Sequence, residues 1–84
     1  MSNVNNKKRT TVHIYGQHYT IIGAEGPAHV HKVASIVDDK MREIRQQSNS
    51  LDAKQLAVLT AVNIVDDYLK LQERVKQLEN KKED

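Results

Sequence analysis

The side chains able to do chemistry in this chain are its histidines, carboxylates and tyrosines, and their spacing argues against most of that chemistry. His13 and His18 are expected on one face of a strand pair, in a diagonal relation. His29 and His31 stand two apart on a helix, so they point in different directions. No HExxH or comparable ligand spacing occurs. The histidines therefore read as surface residues, and no metal is expected. Cysteine is absent, which excludes a disulfide framework and a thiolate zinc site. There is no phosphate-cradling glycine loop and no Ser-His-Asp set in a recognisable context. The adjacent carboxylates Asp38-Asp39 and Asp66-Asp67 lie among basic residues on helical segments, where solvation accounts for them. Neither catalysis nor a cofactor is expected.

Binding is the remaining class. The chain has 84 residues, a net charge of +2 and no Trp or Phe. A monomer of that size is marginally stable, and a partner is the expected source of the missing burial. A small basic dimer is a common DNA-binding format. Here, though, acids and bases alternate along both helical segments and leave no uniform basic stripe, so nucleic acid is not the expected partner. A DNA-binding dimer and a generic coiled-coil adaptor stand as alternatives. The polar segment 1–9, with Lys7, Lys8 and Arg9, reads as a flexible lead-in with no apolar stretch after it of the kind a secretory signal needs. The apolar run Leu56 to Val65 is too short to span a bilayer, and a cytoplasmic location is the default.

The elements that must position any binding residue follow from periodicity. Thr10 to Gly23 is rich in β-branched and aromatic residues, with Gly16-Gln17 in its middle, which predicts a two-residue hairpin turn. That register sets Ile14 opposite Tyr19 and Val12 opposite Ile21. These four share an apolar face, while Thr11, His13, Tyr15, His18 and Thr20 take the other. Pro27 suits the first position of a helix carrying Val30, Val33, Ala34, Val37, Met41 and Ile44 as one stripe. Asp38 and Arg42 form an i,i+4 pair on it. Gln46 to Ser50 ends this helix, and residues 10–50 make up the head.

Residues 51–84 form a second, long helix with a frayed end. Asp52 and Gln55 predict a capping box at its start. With no Gly or Pro beyond, the helix runs to about Lys81, roughly 45 Å at 1.5 Å per residue. From Leu56 to Val65 it is apolar on most of its circumference, which calls for burial on all sides, by a second copy. Beyond Asp66 the pattern narrows to Tyr68, Leu71, Val75 and Leu78, a short coiled-coil seam. The expected oligomer interface is thus Leu56, Leu59, Val62, Ile64, Val65, Tyr68, Leu71, Val75 and Leu78. Asn63 either fixes pairing inside that interface or lies at its edge. The fold class is α+β, with an N-terminal hairpin, an amphipathic helix and a long C-terminal helix continuing into a coiled coil, and it is oligomeric.

The segments Thr11 to Ile22 (TVHIYGQHYTII), Val33 to Ile44 (VASIVDDKMREI) and Leu56 to Leu69 (LAVLTAVNIVDDYL) together resemble the ZapA family of bacterial cell-division proteins. The likeness covers nearly everything from Thr10 onward. It implies a globular head, a homodimer through the second helices, and a dimer of dimers through the tails. It also implies binding to FtsZ and cross-linking of its filaments at the mid-cell septum. Under this resemblance the candidate FtsZ contacts are Gln17 and His18 at the hairpin tip, Lys40, Arg42 and Arg45 on the first helix, and Lys54 on the second. Position 17 holds Gln where some relatives carry arginine.

Overall fold

The computed structural model describes residues 7–82. Strand β1 (Lys8–Ile14) and strand β2 (Gln17–Gly23) form an antiparallel hairpin, followed by helices α1 (Pro27–Gln47) and α2 (Ala53–Lys82). The chain divides into two compact units between Asn49 and Ser50. The first strand begins at Lys8, two residues before the expected start. Residues 1–6 of the expected lead-in lie outside the described part.

The hairpin forms as expected, but its turn lies one residue earlier. Ile14 pairs with Gln17, His13 with His18, Val12 with Tyr19, and Thr10 with Ile21. The central turn residues are therefore Tyr15 and Gly16, with φ of 50° and 81°. Two consecutive positive φ values define the type I′ turn, whose twist matches that of the flanking strands. Reading Gly16 as the first turn residue was the error; it is the second, and Tyr15 takes the unusual conformation before it. The shift moves each cross-strand partner by two residues, which conserves the faces because side chains alternate with period two. Thr10, Val12 and Ile14 still share a face with Tyr19 and Ile21. His13 now stands directly opposite His18 instead of diagonal to it.

Helix α1 packs on β1. Val12 is fully buried with Val30 and Ala34 around it, and Ile14 packs against this cluster. Only the β1 half of the apolar ribbon face is covered, since Tyr19 and Ile21 on β2 are exposed. On α1, Pro27 occupies the first turn as expected and Met41 is also buried. Val33, expected on the inward stripe, is exposed instead, as is Ile36. The inward row is centred on Val30, Ala34 and Met41, and at 100° per residue Val33 falls on its edge.

In the second unit the capping box is present in both directions. The Gln55 amide donates to Asp52 Oδ1 at 2.8 Å, and the Asp52 amide donates to Gln55 Oε1 at 3.1 Å. Two of the orphan donors at the helix start are thereby satisfied. Thr60, one of the polar interruptions in the apolar run, is buried and donates its hydroxyl to the Leu56 carbonyl at 2.7 Å. Its polar group is thus neutralised within the helix. Replacing Asp52 with Ala should lower unfolding stability by about 1 kcal/mol, read as a shifted denaturant midpoint. An unchanged midpoint would mean that the cap contributes nothing to the cooperative unit.

Candidate functional site

The tip of the hairpin is fastened to α1 through one residue, Tyr15. A non-glycine residue in the left-handed region costs about 1–2 kcal/mol, so something must hold it there. Three interactions converge on it. Its amide donates to Asp38 Oδ1 at 2.6 Å, and its phenolic oxygen accepts from Arg45 Nη1 at 2.9 Å. The Arg42 guanidinium lies 5.5 Å from its ring centroid, within reach of a cation–π attraction. Asp38 joins the set by accepting from Arg42 Nε at 2.9 Å through its other oxygen. The expected i,i+4 pair therefore forms, and its carboxylate also reaches the hairpin.

This carboxylate is tuned by its partners. The Arg42 hydrogen bond, followed by the Tyr15 amide, holds the Asp38 carboxyl below its ordinary value against a smaller opposing effect of burial. Both donors favour the charged acceptor. A group with a depressed folded-state pKa stabilises the fold above its unfolded value, and that contribution is lost as pH falls through the depressed one. The fastening of the tip should therefore loosen only in acid.

The six candidate contact residues divide accordingly. Gln17 and His18 are exposed beside the turn. Lys40 lies 3.3 Å from Glu43 with its side chain about three-quarters covered. Arg42 and Arg45 reach Tyr15 and thus shape the tip. Lys54 is exposed in the first turn of α2, in the second unit. The sequence reading missed Tyr15 and undervalued Asp38. An aromatic residue directly before the turn glycine is the signal that was available for the first. For the second there was none, because its contact spans 23 residues.

The candidate interface residues are, with two exceptions, exposed in the single chain. Leu59, Val62, Val65, Tyr68, Leu71, Val75 and Leu78 each keep between 42% and 60% of their surface. Ile64 is half-buried. Leu56 is fully buried in the single chain. Asn63 is exposed. Two intrachain contacts lie in this stretch of the helix. Tyr68 accepts a hydrogen bond from Gln72 Nε2 at 2.9 Å, so its phenol has an intrachain partner. The Asp66–Lys70 pair, at 2.9 Å, lies on the opposite side of the helix from Leu71 and Val75 by the 100° rule. Among the described residues no helix is long and apolar enough to cross a membrane.

The profile of a family described as cell division protein ZapA matches residues 10–84. The cell division protein ZapA of Bacillus subtilis is 62% identical over 73 residues, covering 87% of this chain and 86% of its own length. That of a Geobacillus species is 60% identical over 72 residues, covering 86% and 83%. Among solved structures, a mutant dimer of ZapA from Geobacillus stearothermophilus superposes with a TM-score of 0.75 at 49% identity. That match covers all of this chain and 96% of the other.

Replacing Asp38 with Ala should release the tip while α1 stays helical. In the unaltered chain the Tyr15 amide resonance should titrate with a midpoint below the ordinary aspartate range. In the variant this titration should vanish and hydrogen exchange at Tyr15 should rise. An amide whose shift and exchange ignore the substitution would remove Asp38 from the role of anchor.

Proposed function

The chain belongs to the ZapA family of cell division proteins, and from that membership we propose that it binds FtsZ and cross-links its filaments at the division septum in the cytoplasm. The observation that carries the reading is the family match, which runs unbroken from the hairpin to the end of the long helix. A similarity confined to α2 would speak only for a coiled coil. One that includes the head speaks for the head's task as well.

In the proposed assembly two chains pair along the apolar part of α2, and two such dimers join through the seam of Tyr68, Leu71, Val75 and Leu78. The exposed valines and leucines of α2 support this, since a contiguous apolar surface of that extent marks an association site. The heads then carry Gln17, His18 and Lys40 toward FtsZ, and Lys54 on α2 is a further candidate contact. Arg42 and Arg45 serve first to hold the turn and only secondarily as contacts. Several weak heads on one assembly give avid bridging where their spacing matches that of the filaments. The proposed protein is non-enzymatic.

Two measurements test this. Val62→Glu would place an unpaired charge in the α2 interface, at a cost of about 3–5 kcal/mol in association. Light scattering should show a shift from dimer or larger toward monomer, and a compact, stable wild-type monomer at micromolar concentration would end the assembly proposal. Removing residues 71–84 should leave a dimer that still pellets with FtsZ filaments but bundles them poorly, as seen by electron microscopy. Full bundling by a proven dimer would show that the tail seam is not the bridge. No pelleting of the full-length chain with FtsZ at low salt would refute the functional reading itself.

A further inference from the structure

The corrected register creates a feature that a diagonal placement would not. His13 and His18 are directly cross-strand partners, and their rings meet edge-on with centroids 4.0 Å apart. With a two-residue turn, Ile14 and Gln17 close the first hydrogen-bonded pair, so His13 and His18 form the next, non-hydrogen-bonded one. In such pairs the strands bring side chains closest together. Both histidines are exposed, on the ribbon face that α1 does not cover.

We propose that His13 and His18 form a two-imidazole site for a divalent first-row transition ion such as Zn2+ or Ni2+. Metal–imidazole bonds are about 2.0–2.1 Å long, so two nitrogens bound to one ion stand about 3 Å apart. Residues directly opposite on paired strands have Cβ atoms about 4.5–5.5 Å apart. Opening the edge-on pair by side-chain rotation alone then brings one nitrogen of each ring to the ion, with no backbone movement. Neutral imidazole is the ligating form. Water, or a donor from a bound partner, fills the remaining positions.

The surroundings favour this class of ion. The next pair along this face is Thr11 and Thr20, whose hydroxyls lie 3.4 Å apart, and beyond them Arg9 pairs with Ile22. This face of the hairpin thus carries no carboxylate, and among the described residues no group of three or more His, Asp or Glu could hold a metal. Calcium and magnesium, which require oxygen ligands, would find none of the right kind. Nitrogen-preferring ions would find two imidazoles. Preorganisation comes from the turn, because the fastening of Tyr15 to Asp38 fixes the strands immediately beside the pair. The proposal does not rest on FtsZ binding, although it shares His18 with the candidate contact.

The test titrates the full chain with ZnCl2 and separately with NiCl2, following heat and the histidine ring resonances. One ion per chain is expected, with the His13 and His18 rings shifting together and those of His29 and His31 unmoved. His13→Gln and His18→Gln should each weaken binding by roughly tenfold or more, since the second donor of a chelate acts at a high local concentration. His29→Gln with His31→Gln should leave it unchanged. Circular dichroism of each variant confirms that the helices persist. The proposal is overturned by absent binding, by binding that survives either cross-strand substitution or follows the helical histidines, or by half an ion per chain, which would signify bridging between chains.

Discussion

Uncovered apolar surface is the constraint to which the rest of this molecule answers. Nine of the fourteen large apolar side chains exposed among the described residues lie on α2. A hairpin and a single amphipathic helix offer too little area to cover a thirty-residue helix apolar around much of its first half. Propensity does not sustain such a helix in water; most helical stability in proteins comes from packing. The uninterrupted run without Gly or Pro, the capping box at its start and the inward-satisfied Thr60 keep α2 continuous, and in the proposed assembly a second copy supplies that packing. The same deficit appears on β2, whose Tyr19 and Ile21 face the apolar side of the ribbon yet stay exposed.

Unlike α2, with its uncovered apolar surface, the head secures its own geometry. An isolated hairpin is marginal in water, and α1 covers only half of this one. Hydrophobic burial at Val12, with Ile14 beside it, fixes where the strand lies. The polar fastening acts just beyond, at the turn residue Tyr15. It is directional, since a carboxylate must meet a particular amide, and it draws on a turn conformation that glycine alone would take without cost. Nondirectional burial along β1 and directional hydrogen bonding at the turn together define the hairpin's orientation on α1.

Much of this was legible in the sequence because it is periodic or local. The ribbon faces follow from alternation, and they survived a misplaced turn because a two-residue shift preserves parity. The capping box and the Asp38–Arg42 pair are three- and four-residue relations that helix geometry guarantees. What escaped was long in range or rare in conformation. Tyr15 at positive φ runs against the expectation that glycine leads such a turn. The Asp38 contact joins positions 23 residues apart, and no local pattern announces it. The direct facing of His13 and His18 was hidden by the same turn error, since it depends on the absolute register and not on parity. Leu56 belongs to the apolar run by its periodicity, and periodicity alone does not show that it is fully buried within the single chain.

The division between residues that shape the tip and residues that could touch a partner changes how basic side chains on the head should be read. Exposed charges contribute little individually to binding and are screened within about 8 Å at physiological salt. A contact built from Gln17, His18 and a few lysines is therefore weak at each head. Apparent affinity also falls in proportion to the fraction of molecules whose site is in the competent arrangement. A loose tip would impose that loss at every head. In an assembly that bridges only when several heads engage together, the losses multiply, whereas a fastened turn removes the factor from all of them. Under the proposed function, Arg42 and Arg45 would thus govern bridging without contacting the filament. Removing them weakens the proposed function through the fraction of competent tips, an effect that removing a contacting lysine does not share.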